Sequence, residues 1–473
     1  MEAGAAQAGI GDLRRGWADG RDMITARKGD GRRNLLLPQE EVTADHGPGA
    51  DARRRGVAAA WRAWRGRLQA AQPALERLLA FGYALMLLAF FLIRDHDFLR
   101  HWSYAAVVAP FLLITRREEW RALLRSPIMV ASAAYLAWFW CSVWWSAGAS
   151  AEDAVLFARD GLVILAFLGS TVVLARRRPT FFPRLLRALC WVAGVAAVLS
   201  IAWYYVAGSP NDRVWGLGID GYPTNSAMVY GFAFLVALYA GLRNAKTRGQ
   251  RLAFIAVLTT TLAFIIAAEA RGAIVALVAS LLLVGLLRRQ KPIVIGVPLL
   301  IAAFFALHFS GAISTHDLIS RGMTERDVLW TRALERSETA PWLGYGIADP
   351  QTFPITPEPQ LVPDRQTKCV WPECTHPHNL LLSHQVTGGL PAVGALLVVL
   401  SLWLATSIRL IHRDGDYLLF SLLVFVVVSG LVELKVFLRP LDIAWLYFWL
   451  PIGLASAAET QLRAGRPAPL PGP

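Results

Sequence analysis

Twelve apolar blocks, most of them near 20 residues long, decide what this chain can fold into. They lie at about 76–93, 101–115, 127–146, 154–175, 184–207, 223–242, 252–268, 272–287, 292–310, 380–408, 417–434 and 441–457. A helix rises 1.5 Å per residue, so about 20 apolar residues match the ~30 Å hydrocarbon core of a bilayer. A soluble chain of 473 residues would carry about a quarter of its residues charged. Here only 17% are charged and 55% are hydrophobic, too little charge to wet so large a surface. The same proportions exclude disorder, coiled coil and collagen. The sequence therefore predicts an all-α polytopic membrane protein with about twelve transmembrane helices.

Charge orients it. The net charge of +13, from 47 Lys and Arg against 34 Asp and Glu, could mark a nucleic-acid binder. An excess of Arg on the cytoplasmic side of a membrane protein explains it more simply. With the N-terminal tail inside, the inner loops at 116–125, 176–187, 243–251, 288–291 and 409–413 hold eighteen Arg and Lys. The short outer loops hold six: Arg94, Arg100, Arg213, Arg271, Lys435 and Arg439. Cationic loops stay in the cytoplasm, so both termini are expected inside. Residues 1–75 show no cleavable signal and read as a largely disordered basic cytoplasmic tail, with an amphipathic stretch near Val57–Ala71. Residues 76–310 would carry helices one to nine, 311–378 one long outer loop, 379–458 helices ten to twelve, and 459–473 a Pro-rich cytoplasmic tail.

The long loop is where chemistry is expected, because long ordered loops are more often functional than decorative. Within it, Ser320–Ser337 predicts an amphipathic helix with Met323, Val328, Leu329, Trp330 and Leu334 as its apolar members. Pro341-Trp342-Leu343-Gly344-Tyr345-Gly346 follows as a turn with two glycines free to take positive φ. Cys141 and Cys190 lie in spans and read as small packing hydrophobes. Cys369 and Cys374 stand five apart in the loop. They suit a disulfide in an oxidising compartment better than free thiols. They suit it better still than a metal site completed by His376 and His378, whose spacing departs from the usual pairs of ligands.

His378-Asn379 ends the loop, nine residues follow, and then comes Gly389. With Pro-Trp-Leu-Gly-Tyr-Gly some thirty-five residues upstream, this resembles the O-antigen ligase family and its polymerase relatives. The ligase pattern continues with two residues and a Gly, Thr or Tyr, where this chain has Ala392. Arg271-Gly272 opening the eighth span, Arg213 in the preceding outer loop, and Arg326 with Trp330 four residues on add to the resemblance. Together these features cover about residues 205–395. The resemblance implies a C-type glycosyltransferase fold and a periplasmic active site in a bacterial inner membrane. It implies transfer of O-antigen from undecaprenyl diphosphate to lipid A–core oligosaccharide, with inversion and with neither metal nor cofactor. O-antigen polymerase and protein O-oligosaccharyltransferase share the scaffold. A twelve-span lipid-linked glycan transporter is disfavoured, since no internal symmetry is visible.

The residue types support such chemistry in their own right. Arg213 and Arg271 are guanidinium groups expected at the outer membrane surface, able to grip phosphate oxygens in pairs and stabilise a departing diphosphate. His378 titrates near neutrality and can take the proton of an attacking sugar hydroxyl. Alone, an Arg at a helix end is commonly a snorkelling cation, and a lone His near a helix start a capping residue. All three on one face beside the one long loop favour function. Asn379 and Arg326 are secondary candidates. So is Arg159, although Arg159-Asp160 inside the fourth span reads slightly better as a local ion pair.

Overall fold

The computed structural model describes residues 48–206, 213–218, 222–242, 244–291, 293–299, 326–349, 353–354, 373–374, 377–433, 438 and 441–465. The chain divides into two units, residues 1–64 and 65–473. The first unit contributes only the beginning of α1 (Pro48–Ala89) to the described residues. Helix therefore begins at Pro48, earlier than the amphipathic stretch expected from 57.

The second unit is helical almost throughout. α2 (His96–Ser103) runs through a π-helical turn (Tyr104–Val108) into α3 (Ala109–Ile114), and α4 (Arg117–Leu124) then turns away by 103°. α5 (Pro127–Ser142), α6 (Ala151–Arg177), α7 (Phe181–Val206) and α8 (Pro223–Val236) follow, then α9 (Arg248–Ala267) and α10 (Arg271–Leu287). α11 (Arg326–Thr339) lies in the long loop, with a two-residue antiparallel pair, β1 (Phe353–Pro354) and β2 (Glu373–Cys374), in register Phe353 to Cys374. α12 (Leu380–Asp414), α13 (Leu418–Glu433) and, after a π-helical turn (Trp445–Trp449), α14 (Leu450–Arg463) complete the chain.

Local chemistry sets the ends. Ser126 caps α5 ahead of a first-position proline, and Ser150 with Asp153 forms a capping box on α6. Thr247 with Gln250 does the same on α9. Each side chain satisfies an N–H that the helix leaves orphaned. Gly415, at φ 60°, closes α12 in the left-handed conformation that glycine takes without strain.

Five described helices are long and apolar enough to cross a membrane: Pro127–Trp145, Ala151–Arg177, Phe181–Val206, Arg248–Ala267 and Leu380–Asp414. The bent pair α2–α3 with α4 would make a sixth, and Arg271–Leu287 and Leu418–Val432 are shorter apolar helices. The molecule is thus all-α and carries several membrane-length helices. α6 lies at the centre, packed against α5 and α14, while α12 packs on α5 and α10 on α13. Small residues permit the close approach: a Cβ at Gly453 of α14 would come 2.8 Å from Thr171 of α6. Trp403, Trp445, Trp449, Tyr83 and Phe167 are wholly buried in this core.

Two packing expectations need correction. Cys190 is buried, but Cys141 is exposed on its helix surface, so only one of the two span cysteines packs inside. In α11 the buried face is Leu329 and Ala333, and Leu334 points outward at 53% exposure. A single tight face one turn apart outcompetes the wider apolar set read from sequence. Cys369 and the side chain of Cys374 lie outside the described residues, and so does the disulfide expected of them.

Candidate active site

The site is built on a helix that breaks. Gly389 has φ 67° and ψ −168°, dividing α12 into 380–388 and 390–414. An unbroken helix would pair the Val386 carbonyl with the Leu390 N–H and leave Thr387 facing Pro391, which has no N–H. Here the loop supplies the missing donors. Tyr345 N donates to Val386 O and Gly346 N to Thr387 O, both at 2.8 Å. Leu390 N donates to Pro341 O at 2.9 Å, as does Gln385 Nε2. Trp138 Nε1 of α5 takes the Gly388 carbonyl at 2.8 Å. The Pro341–Gly346 segment is therefore a strap lashed across the break.

Its glycines are obligatory. Gly344 and Gly346 have φ 61° and 87°, the positive values expected for this turn. A Cβ on Gly344 would come 2.6 Å from the Val386 carbonyl, and one on Gly346 would overlap Ser146 Oγ. Past the strap, Ile347 N and Ala348 N donate to Ser142 Oγ and Ser146 Oγ, and Trp145 Nε1 donates to Leu343 O. Arg336 of α11 pairs with Asp349 at 2.8 Å and stacks over the Tyr345 ring. Leu329, Ala333 and Val386 fill the space between α11 and α12.

His378 and Asn379 sit at the head of the first half of α12. Asn379 Oδ1 caps the helix by accepting from Leu382 N at 3.1 Å, and its Nδ2 donates to the Leu431 carbonyl of α13 at 2.9 Å. His378 is half-buried with φ 50°, a conformation that costs a non-glycine residue and that clusters at functional positions. Next to it the Pro377 carbonyl accepts from Trp330 Nε1 of α11 at 3.0 Å. Arg326, four residues before Trp330, shares its helix face.

The two expected phosphate-binding arginines meet at the α9–α10 junction. Arg213 is half-buried and donates from Nε to Ala268 O at 2.8 Å and from Nη2 to Glu269 O at 3.1 Å. Two residues later Arg271 opens α10, after Glu269 turns the chain at φ 48°. α10 and α13 pack side by side, and at one end the Arg288 guanidinium stacks over Tyr417, 5.1 Å from its centroid. That contact joins the C-terminus of α10 to the start of α13, so the pair is antiparallel. Their other ends, Arg271 and Leu431, therefore share a side. Asn379 is bonded to Leu431, which brings His378-Asn379, Arg271 and Arg213 to the same end of one helix pair. An imidazole and two guanidinium groups at one end of a helix pair have the chemistry to accept a proton and stabilise a departing anion.

Arg159 belongs elsewhere. Its Nε and Nη2 bind the buried Asp160 at 2.8 and 2.7 Å, the local ion pair that its sequence position suggested. His384 is wholly buried, with Nδ1 2.6 Å from Leu380 O and Nε2 2.8 Å from Tyr135 Oη. A carbonyl only accepts, so Nδ1 carries the proton and Tyr135 donates to Nε2. His384 is a satisfied core residue. Trp138 and Trp145 escape the sequence reading altogether, although Gly388-Gly389 before Pro391 signals the break that they serve.

Residues 254–397 match a family model described as O-antigen ligase. This stretch holds Arg271, Arg326, His378, Asn379 and Gly389, and begins after Arg213. The chain is similar to the O-antigen ligase of Pseudomonas aeruginosa strain PAO1, with 28% identity over 396 residues, 82% of this chain and 92% of that protein. Both matches are to the family that the motif residues of this chain resemble.

Proposed function

We propose that this protein is an O-antigen ligase, a membrane glycosyltransferase that moves O-antigen from undecaprenyl diphosphate to lipid A–core oligosaccharide at the periplasmic face of the inner membrane. Both termini are cytoplasmic in this reading. One observation carries it: the strained His378, capped through Asn379 and bonded across to Leu431, shares a bundle end with Arg271 and the Arg213-bound α9–α10 turn.

His378 takes the proton of the acceptor hydroxyl as its oxygen attacks the anomeric carbon of the donor. The bond from that carbon to the diphosphate oxygen breaks, and its electron pair leaves with undecaprenyl diphosphate. Attack opposite the leaving group inverts the anomeric centre. Arg213 and Arg271 stabilise the charge that builds on the diphosphate, the work a Lewis acid would otherwise do. Carbonyl bonds to Ala268 and Glu269 hold the Arg213 fork in place beforehand, so little reorganisation is needed as charge develops. Membrane helices suit both substrates, since each is lipid-anchored.

Lipopolysaccharide banding in a strain lacking the protein tests the reading. A ligase leaves bare lipid A–core while carrier-linked polymer accumulates. Core bearing one repeat would mean a polymerase, and normal banding with unglycosylated protein a protein O-oligosaccharyltransferase. Carrier-linked glycan stalled on the inner leaflet would mean a transporter.

A further inference from the structure

The end of α6 away from the strap holds a second feature. α6 begins at Ser150, next to the Ser146 that binds Ala348, and its 27 residues span about 40 Å before ending near Arg176. There α4, α6 and α14 enclose a cavity of about 180 Å³ lined by Ala122, Arg176, Thr460, Gln461 and Ala464. Two inaccessible polar atoms in its lining residues have no hydrogen-bond partner among the described residues: Arg176 Nη1, a donor, and Gln461 Oε1, an acceptor. Gln461 is only 6% exposed, and its Nε2 is committed to the Ala175 carbonyl at 3.2 Å.

The surrounding charges are already matched. Glu119 is held by Arg177 through two bonds of 2.7 and 2.8 Å, and Glu76 by Arg177 and Arg178. Glu459 accepts from Ser126 and from Arg463. The Thr460 hydroxyl donates to Ala457 O. Arg176, whose charge also bears on Glu119, makes no hydrogen bond through Nη1 among the described residues, and a guanidinium donor without a partner is best matched by an anionic oxygen. Gln461 Oε1 likewise lacks a donor among the described residues.

Depth identifies the source of the anion. α4 turns across this end and exposes Trp120 and Leu124, the latter at 73%, beside Arg117, Arg121 and Arg125. A short helix with exposed apolar and cationic residues lies in the interfacial plane, at headgroup level. The cavity opens beside the exposed Ala464, which follows α14.

We propose that this cavity binds a phospholipid headgroup, with the Arg176 and Gln461 side chains turning toward it to take a phosphate oxygen and a hydrogen-bond donor, since neither orphaned atom faces the cavity as it stands. Phosphatidylglycerol, with its hydroxyls, and phosphatidylethanolamine, with its ammonium, have that chemistry. Phosphatidylcholine has the phosphate but no donor. Such a lipid would tie α4, α6 and α14 together about 40 Å from the strap.

Native mass spectrometry of the purified full-length protein tests this, with each lipid titrated in neutral detergent. We expect phosphatidylglycerol and phosphatidylethanolamine to be retained over phosphatidylcholine. Arg176→Gln, or Gln461→Glu, which sets a carboxylate against the phosphate, should weaken retention about tenfold or more, the value of a charge-assisted hydrogen bond. Arg176→Lys should recover part of it. The headgroup comparison on the wild-type protein decides the matter even if a variant fails to fold. Equal retention of all three lipids, or variants that bind like wild type, would overturn the proposal. So would stabilisation by inorganic phosphate without any by phosphatidylglycerol, which would make the occupant a soluble ion.

Discussion

Replacing Gly389 with alanine attacks the strapped break directly, and the structure sets the size of the effect. At φ 67° and ψ −168° the backbone occupies a region that costs a non-glycine residue about 1–3 kcal/mol. The new Cβ would also overlap the Trp342 carbonyl, so the strap must lift. Lifting exposes four hydrogen bonds: Tyr345 to Val386, Gly346 to Thr387, and those of Leu390 and Gln385 to Pro341. At about 0.5–1.5 kcal/mol each, these hold roughly 2–6 kcal/mol. Relaxation will recover part of the sum, so we predict a loss of about 3–5 kcal/mol, at the high end for one substitution. At about 2.1 cal/mol/K per residue, a chain of 473 residues would lose about 3–5 °C in Tm. Thermal unfolding in detergent and ligation per molecule of protein measure both consequences, because the strap also positions the residues after His378. Gly394→Ala is the control, since nothing lies within 4 Å of a Cβ there, and it should be neutral or slightly stabilising. Equal tolerance of alanine at 389 and 394 would show that the strap does not depend on the break at Gly389.

Arg213→Ala should reduce ligation far more than protein level, and Arg213→Lys should rescue only partly, because a point charge cannot bridge the Ala268 and Glu269 carbonyls as the fork does; wild-type ligation by the alanine variant would end its proposed role. Burial alone would raise the Glu119 pKa, but the hydrogen bond and charge of Arg177 and the Arg116 N–H outweigh it and hold the carboxyl below its ordinary 4.5. The pair therefore stabilises the fold above that pH and is lost as pH falls through the lower folded value. Wild-type Tm should drop on acidification below pH 4.5, and Glu119→Gln should flatten that part of the profile. Single cysteines placed between Gly311 and Pro377 should react with an impermeant maleimide from the periplasm, and those between Arg176 and Arg187 should not; the reverse pattern would invert the proposed topology.

Apolar length was legible because it is a local property: α6, α7 and α9 fall where their blocks of leucine, valine and alanine lie. Positive φ at Gly344 and Gly346 was also legible, because a turn motif states its backbone needs in its own residues. The partner of that turn was not. Its donors go to carbonyls some forty residues later, freed by a break at Gly389 that the hydropathy of 380–408 conceals. The pairing of Arg213 with backbone carbonyls was hidden for the same reason, since a carbonyl leaves no trace in side-chain identity. The wrong face assigned to Leu334 shows that periodicity in a short helix fixes the buried stripe only to within about a residue.

The central claim is that His378 moves a proton rather than merely shaping the loop. Purified His378→Gln in defined lipid, assayed for transfer from carrier-linked O-antigen to lipid A–core, tests it most directly. Glutamine can keep a hydrogen bond but cannot accept a proton near neutrality. We expect a loss of about 10²–10⁴-fold in transfer, with donor binding and Tm close to wild type. Transfer at the wild-type rate would contradict it and leave His378 a positioning residue at the head of α12.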